Sequence, residues 1–499
     1  GAAVGDKFRL SASGVFDPGK KIEILIRRET EDDVVVFSGE AVSQNATSNS
    51  SGAKLKIGLR DPLYKLSVGR RNQIYEKLSD DDIIRQLLKS AHGTPGEIAA
   101  AGYDHEHIVQ IGATNWDFLV SRADANGWWV TVFGGKLDAM PPAYDAAAQA
   151  TYDLNLGDII DFDLDADVEQ ALSETTSEAW SPASQAVVPS EAQSVEMPKT
   201  SSLLDVEGEP MIQTNLLDLP QKEMGAWSKA NMVRNRLARL KGFVVIPGDS
   251  SLKLNAPIAF ADVAPMFDGV TLVSGIRHSV SVDSSWQTEL QIGASDQPFL
   301  ERVNTSGLAA GGTVPAVSGL QIGKVTASDP DSEGHFRVQV YLPTFAPAKS
   351  ENGRVWARLA TPDAGNSRGQ WFCPQTGDEV IVGFINGDPR GAVVIGSLFS
   401  SSQSPPVTNP ASAADLSGQR VVRTPYGHVI RMDDNARSTE ITTPNGQSIE
   451  LADSGSAIFI TAASKVQINA GSDVSIDAGS GTFAVRAGKI DIQGNNFTT

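Results

Sequence analysis

Apolar and polar residues alternate through much of the chain, which is the pattern of β-strands that bury one face. The segments 22–26 (IEILI) and 55–59 (LKIGL) are clear examples, with apolar residues at every second position. A strand also follows Gly127, where the aromatic-rich run Trp128-Trp129-Val130 begins. The first 165 residues are therefore predicted to be mainly strands.

Two helices are predicted to interrupt these strands. The first can be capped by Asp80 or Asp81 and ends at Gly93. Its apolar side chains share one face: Ile83, Ile84, Leu87, Leu88 and Ala91. The second starts near Asn115 and stops at Gly127, with an inward face formed by Phe118, Leu119 and Ala123.

A third helix is predicted at about 226–240, and it carries five basic residues: Lys229, Arg234, Arg236, Arg239 and Lys241 at its end. Its basic side is either a solvated face or a face that meets an acidic neighbour, such as the 153–209 tract. Strands follow around 243–246, 270–278 and 286–292.

The acidic residues are concentrated in one stretch. The chain has 60 Asp and Glu against 41 Lys and Arg, a formal net charge of −19, and 14 of those carboxylates lie between Asp153 and Glu209 beside the single base Lys199. The middle of the stretch, 169–202, is rich in Ser, Ala, Glu and Pro, which predicts a solvated linker or surface excursion. A cation-binding tract is the alternative, although the alternating Asp161, Asp163 and Asp165 indicate a strand with one wet face.

Residues 317–400 predict a small closed barrel. Five short strands, at 323–327, 336–342, 355–360, 379–385 and 392–398, are separated by turns rich in Asp, Asn, Gly and Pro. The segment holds seven basic and eight acidic residues, so it lacks the basic groove that single-stranded nucleic acid requires. Linker-like sequences flank the barrel at 301–316 and 401–418.

The C-terminal residues 419–499 repeat. Apolar residues two positions apart recur at steps of 9, 8, 8, 9 and 7 residues, and each pair is predicted to lie on a short strand followed by a polar turn. The pairs are Ile449 with Leu451, Ile458 with Ile460, Val466 with Ile468, Val474 with Ile476, Phe483 with Val485 and Ile490 with Ile492. One chain offers no second apolar wall for these pairs, so they are predicted to meet on the threefold axis of an intertwined trimeric β-helix, or β-prism, needle. An ordinary antiparallel meander is the alternative.

Composition excludes several classes of protein. The acidic balance argues against binding to nucleic acid or to anionic membranes. One cysteine excludes a disulfide framework, and no apolar run is long enough to span a bilayer. The start of the sequence has no signal-peptide pattern, so export by the general secretory route is not expected.

The barrel segment resembles a known family. WARLATP at 356–362, GDEVIVGF at 377–384, NGDPR at 386–390 and VIGSL at 394–398 closely resemble the OB domain of VgrG-type spike proteins of contractile injection systems. NWDFL at 115–119 resembles the family's N-terminal hub. The implied organisation is a mainly β protein with a two-barrel baseplate hub at 1–300, an OB-fold barrel at 317–400 and a needle at 419–499.

The resemblance implies a role in assembly and delivery. A homotrimer would cap the inner tube protein, contact baseplate proteins, adapt sixfold to threefold symmetry and puncture the target envelope. It would carry effectors and a PAAR-like tip protein. It would assemble in the bacterial cytoplasm without membrane anchoring before firing, and then form part of an extracellular injection particle or a type VI secretion apparatus.

No catalytic, cofactor or metal site is predicted. The 401–418 linker is too short for the lysozyme that some phage needle proteins carry there, and the sequence ends just after the repeats, with no toxin domain expected. His105 and His107 are expected to be ordinary surface or core residues, and Cys373 a small buried apolar residue. The alternatives are a peptidoglycan-degrading enzyme and a carbohydrate-binding phage-type tail spike.

Overall fold

The computed structural model forms two compact units, Gly1–Leu308 and Ala309–Thr499. It describes residues 9–27, 32–50, 52–195, 202–204, 206, 208–215, 217, 219–282, 285–304, 309–328, 331–345 and 353–494. Strands dominate both units, so the prediction of a mainly β protein with a few helices is confirmed.

The first unit contains the following strands: β1 (Lys21–Ile26), β2 (Val34–Asn49), β3 (Gly52–Arg60), β4 (Arg71–Leu78), β5 (Thr94–Ile98), β6 (His105–Ala113), β7 (Trp129–Phe133), β8 (Lys136–Met140), β9 (Thr151–Asp153), β10 (Asp161–Ala166), β11 (Leu172–Ser181), β12 (Ala186–Pro189), β13 (Glu209–Asn215), β14 (Leu240–Pro247), β15 (Pro257–Ala261), β16 (Gly269–Ser279) and β17 (Gln287–Ile292). Its helices are α1 (Arg9–Ala12), α2 (Asp80–Ser90), α3 (Asn115–Ala125), α4 (Gln221–Ala238) and α5 (Phe299–Arg302).

Helices α2 and α3 pack into the first hydrophobic core. The apolar faces predicted for them are confirmed, since the following side chains are buried there: Ile83, Ile84, Leu87, Leu88, Phe118, Leu119 and Ala123. The prediction that Asp80 or Asp81 caps α2 is wrong. Ser79 caps it, because its hydroxyl accepts the N–H of Asp82 at 3.3 Å, which leaves Asp80 to point inward.

The second core lies beside a six-stranded sheet of order β10-β14-β17-β16-β15-β9. Val244, Ile258 and Leu290 are fully buried within it. The strand predicted from the alternating aspartates is confirmed as β10, which pairs antiparallel with β14 at one edge of this sheet.

The linker interpretation of 169–202 is wrong over much of that range. Strand β11 lies between β12 and β13 in a three-stranded sheet, and this sheet packs on α4. Composition misled here because two of the three residues that β11 buries, Thr175 and Ser177, are polar and hydrogen-bonded, and the third is the small Ala179, so little apolar periodicity marks the strand.

Helix α4 starts five residues before its predicted position, and its basic side is only partly solvated. Arg234 is buried, and its guanidinium pairs at 3.1 Å with the carboxylate of Asp124, a residue outside the acidic tract. Arg239 is buried and donates to the carbonyl oxygens of Leu204 and Leu172. A fully solvated face therefore does not describe these two residues, and Arg239 contacts the 153–209 tract through backbone carbonyl oxygens.

The second unit contains a closed barrel followed by a separate sheet. Its strands are β18 (Gln321–Ala327), β19 (Val338–Tyr341), β20 (Arg354–Leu359), β21 (Ala364–Gly365), β22 (Arg368–Gly369), β23 (Glu379–Phe384), β24 (Ala392–Ser397), β25 (Gln419–Arg423), β26 (Val429–Asp433), β27 (Ser438–Thr442), β28 (Ser448–Ala452) and β29 (Ala457–Thr461), with a short helix α6 (Ala413–Gly418). The barrel closes in the order β18-β19-β20-β24-β23, as the five predicted strands require. Cys373 packs against its core, and burial raises the pKa of the thiol.

Among the described residues, none of the helices is both long and apolar enough to cross a membrane.

Candidate functional site: the apolar face of the C-terminal sheet

Strands β25–β29 form a five-stranded antiparallel meander within one chain. The strand register pairs each residue with a residue of the neighbouring strand, and paired residues lie on the same face of the sheet. Residues that are paired from strand to strand therefore form rows across the sheet. The first such row is Val422, Ile430, Ile441, Ile449 and Ile460. The second row on the same face is Arg420, Met432, Thr439, Leu451 and Ile458.

This face is exposed although it is the apolar one. The apolar side chains in the two rows are between 43% and 67% exposed. The opposite face is more polar, although it includes the exposed Phe459, and there the Arg431 guanidinium pairs with the Glu440 carboxylate at 3.4 Å. A sheet with one apolar face normally packs that face on a core, so this face lacks the layer that would cover it.

The structure brings together two of the predicted needle pairs. Ile449 lies opposite Ile460, and Leu451 opposite Ile458, so both pairs belong to the exposed face. Over Gln419–Thr461 the chain thus has the antiparallel meander that was the alternative for this segment, and the trimeric axis stays a prediction.

Sequence reasoning missed four other members of the apolar face: Val422, Ile430, Met432 and Ile441. Ile430 and Met432 are two residues apart, as in the later pairs, but the step of 11 residues from Ile430 to Ile441 obscures the period.

The other eight predicted needle residues follow the meander, and here the structure differs from the prediction of one short strand for each pair. No strand is assigned within the described residues 462–494. The eight side chains are 54–68% exposed: Val466, Ile468, Val474, Ile476, Phe483, Val485, Ile490 and Ile492.

The difference has a physical reason in the proposed trimer. A strand is defined by hydrogen bonds to a neighbouring strand, and the predicted prism takes those neighbours from the other two chains. One chain therefore offers neither backbone partners nor an apolar wall to residues such as Ile468 and Val485. Their place at a trimer axis stays a prediction.

The first unit holds a buried charged cluster that the sequence did not reveal. The Asp80 carboxylate accepts hydrogen bonds from the Arg122 guanidinium at 2.7 and 3.0 Å, from Asn126 Nδ2 at 2.7 Å and from the Tyr103 hydroxyl at 3.1 Å. His105 Nε2 lies 3.0 Å from the same carboxylate, and Glu223 of α4 lies 3.8 Å from His105 and from Arg122.

Asp80 is ionised in this cluster. Burial alone would raise its pKa, but hydrogen bonds from His105 and Arg122 outweigh burial and hold the pKa well below its usual range. Because Asp80 and His105 are buried and their polar atoms are paired, the cluster is a structural connection between α2, α3, β6 and α4. It also shows that His105 is a core residue and that its partner is a carboxylate.

One group in the described residues has the composition of a metal site. Oxygen or nitrogen atoms of Asp331, Glu333 and His335 lie within 4.8 Å of one another. However, the Arg337 guanidinium donates to Asp331 at 3.2 Å and to Glu333 at 2.6 Å, and Asp331 also accepts three backbone N–H groups. Arg337 therefore takes the place that a cation would need.

Two family models match the chain. The Alg8 N-terminal domain matches residues 1–282, and the Type VI secretion system/phage-baseplate injector OB domain matches residues 321–399. The second match covers the closed barrel and confirms that it is an OB domain.

Curated relatives include VgrG spike proteins and the actin cross-linking toxin VgrG1 of Vibrio cholerae. The chain is 32% identical to the type VI secretion system spike protein VgrG1b of Pseudomonas aeruginosa over 109 residues, which is 20% of this chain and 15% of that protein. It is 30% identical to VgrG1c of the same organism over 149 residues, 28% of this chain and 20% of that protein. The chain thus matches a fifth or less of the length of these two relatives, and the resemblance to VgrG-type spike proteins is confirmed.

Among solved structures, a tail protein from Neisseria meningitidis aligns with a TM-score of 0.41 at 16% identity, covering 57% of this chain and 86% of that one.

Proposed function

We propose that this chain, which belongs to the family of the Alg8 N-terminal domain, is the trimeric central spike of a contractile injection system. The OB-domain match and the kinship with VgrG spike proteins support the general class. The observation that carries the trimer is the exposed apolar face of β25–β29.

Association of three copies would cover that face. Each sheet presents eight large apolar side chains there, and full burial of one such side chain stabilises by about 1.5–3 kcal/mol. Three sheets that turn their apolar faces to a common axis leave the polar faces, with the pair Arg431–Glu440, in water. Four of the twelve predicted axis residues belong to this face, and the other eight, from Val466 to Ile492, would continue the same apolar core toward the C-terminus.

Each segment has a proposed role in this spike. The hub, residues 1–300, would cap the inner tube protein, contact the baseplate and convert sixfold to threefold symmetry. The OB barrel at 317–400 lies between the linkers 301–316 and 401–418, and the needle at 419–499 would puncture the target envelope. Effectors and a PAAR-like tip protein would travel with the needle after assembly of the particle in the bacterial cytoplasm.

Light scattering on the purified protein tests the trimer. Three chains of 52.8 kDa should give about 158 kDa, and a monomer would overturn the proposal. Val474→Asp and Ile476→Asp would each bring three carboxylates together on the axis and should abolish trimer formation. Ser475→Asp, between them in sequence, is the matched control and should leave the mass unchanged.

We propose that the spike works without catalysis. The titratable cluster around Asp80 offers no open site to a substrate because Asp80, Tyr103 and His105 are buried and Asp80 is hydrogen-bonded within the cluster. A peptidoglycan release assay on the trimer should therefore show no turnover, and clear turnover would favour the hydrolase alternative. Binding to a glycan array would favour the carbohydrate-binding alternative.

A further inference from the structure

The sheet β12-β11-β13 is polar on its buried side. Thr175 and Ser177 of β11 are fully buried against α4, where the Thr175 hydroxyl donates to the Ser228 carbonyl oxygen at 2.6 Å. The Ser177 hydroxyl lies 2.6 Å from that of Ser228 and accepts from Gln213 Nε2 at 2.6 Å. Hydrogen bonds, rather than apolar contacts, thus hold most of this side of the sheet on the helix.

The polar network continues through α4 and fixes the sheet in place. Asn231 bonds Gln213, and Arg234 bonds both Asn231 and the Asp124 carboxylate. Directional bonds among buried groups define one position for a sheet, since each displaced group would be left unsatisfied. The hydrogen bonds on the buried side therefore also fix the positions of the side chains on the outer side of the sheet.

The outer side of the sheet exposes three apolar residues. Trp180 of β11 lies opposite Val187 of β12, and Ile212 of β13 lies beside Thr176. Trp180 is 39% exposed, Val187 48% and Ile212 63%. Strand β11 thus buries two polar side chains beside Ala179, while the outer side of the sheet exposes three apolar side chains, which marks the outer side as an interaction surface.

Acidic residues surround this apolar patch. Glu174 and Glu178 alternate with the buried residues of β11, so they lie on the same face as Trp180. Strands β11, β12 and β13 carry three carboxylates, on Glu174, Glu178 and Glu209, and no basic residue. A second copy of the same surface would bring like charges together, whereas a cationic partner would be attracted.

We propose that the outer face of β12-β11-β13 is a docking surface for a cationic amphipathic segment of a different protein, with Trp180 as the apolar anchor and Glu174 and Glu178 as its charged rim. An apolar centre bordered by charge is the usual anatomy of a protein interface, and tryptophan is a frequent hot spot. The surface belongs to the acidic stretch of the chain and does not depend on the proposed trimer.

The probe is a fluorescein-labelled amphipathic peptide of Leu and Lys, measured by anisotropy with the full-length protein. A Leu/Glu peptide and a Ser/Lys peptide of equal length are the controls. We expect the Leu/Lys peptide to bind and both controls to bind much more weakly, with affinity falling as salt is raised. Equal binding of the Leu/Glu peptide would overturn the proposal.

Variants locate the surface. Trp180→Ala and the double change Glu174→Lys with Glu178→Lys should each weaken peptide binding at least about tenfold. The matched controls are Ile111→Ser, an exposed apolar residue of β6, and Glu97→Lys, an exposed acid of β5; both should bind as the unchanged protein does. Loss of binding in the controls as well, or no loss in the test variants, would refute this location.

A photo-crosslinker placed at Val187 tests the identity of the occupant. Purified protein should give no crosslink between copies at this position, because the acidic residues of two such surfaces are proposed to repel each other. Efficient crosslinking between copies would overturn the proposal and assign the face to self-association instead. Unfolding curves should be unchanged in all variants, since the altered side chains point outward.

Discussion

Replacing Asp80 by asparagine should be among the most destabilising single changes in the first unit. The carboxylate is fully buried and accepts hydrogen bonds from Arg122, Asn126 and Tyr103. Asp80→Asn keeps the size of the side chain but removes the charge that faces the Arg122 guanidinium. Glu223, at 3.8 Å, is then the nearest carboxylate to Arg122.

The size of the effect follows from this geometry. Removal of one partner from a buried ion pair costs about 3–5 kcal/mol, and because Glu223 at 3.8 Å still compensates part of the Arg122 charge, we expect about 3 kcal/mol here. One kcal/mol shifts the midpoint of thermal unfolding by about 2–4 °C in domains of 150–250 residues, so we expect a shift of roughly 6 °C or more for the first unit.

Calorimetry on the full chain measures the shift, and Asp82→Asn is the matched control. Asp82 lies in the same first turn of α2 without being buried, so its loss should cost about 0.3–1 kcal/mol through the helix dipole alone. If Asp80→Asn unfolds within 1 °C of Asp82→Asn, the cluster does not stabilise the fold in the way that its geometry indicates.

The pH dependence gives a second reading of Asp80. Its pKa is lowered on folding, so its contribution to stability is complete above the pKa of an unfolded aspartate, about 4, and decreases as the pH falls below that value. The difference in unfolding free energy between the unchanged protein and Asp80→Asn should therefore shrink below pH 4. A difference that stays constant down to pH 2 would contradict an ionised Asp80.

Three further changes test other parts of the molecule. Leu342→Ala in the fully buried barrel core should cost about 2–5 kcal/mol in chemical unfolding. Gly127→Ala should cost about 1–2 kcal/mol in the same measurement, because φ is +70° and the new Cβ would lie 3.0 Å from the backbone of Ala230. Ile441→Asp, on the apolar face of the C-terminal sheet, should prevent trimer formation in light scattering while Thr442→Asp, on the polar face, should not.

The sequence predicts elements whose buried face is apolar. The inward faces of α2 and α3 and the five barrel strands follow from hydrophobic periods of 3.6 and 2, because burial of those side chains is what stabilises the elements. The same reasoning fails at β11, where Thr175 and Ser177 are buried by hydrogen bonds to α4. A polar buried face leaves no hydrophobic period in the sequence.

Asp80 shows a second limit of prediction. An aspartate at the start of a helix has a local explanation as a cap, and its partners lie 23–46 residues away along the chain. Only the tertiary structure brings Tyr103, Arg122 and Asn126 to one carboxylate. The apolar face of the C-terminal sheet was predictable only in part. The apolar pairs from Ile449 onward repeat at a regular step and were predicted, whereas the apolar residues of the strands before Ile449 follow no regular step and were missed.

Charge distinguishes two of the sheets that expose apolar side chains, β25–β29 and β12-β11-β13. Residues 419–461 carry four basic and five acidic residues, so copies of the C-terminal sheet can approach one another almost without electrostatic cost. Strands β11, β12 and β13 carry Glu174, Glu178 and Glu209 and no basic residue, so copies of this sheet would repel one another at close range. Equal apolar exposure therefore leads to opposite expectations, self-association for the first sheet and a cationic partner for the second. Raising the salt concentration should leave the trimer intact, because apolar burial holds it together. It should weaken binding of the cationic partner to β12-β11-β13, because salt screens the attraction between opposite charges.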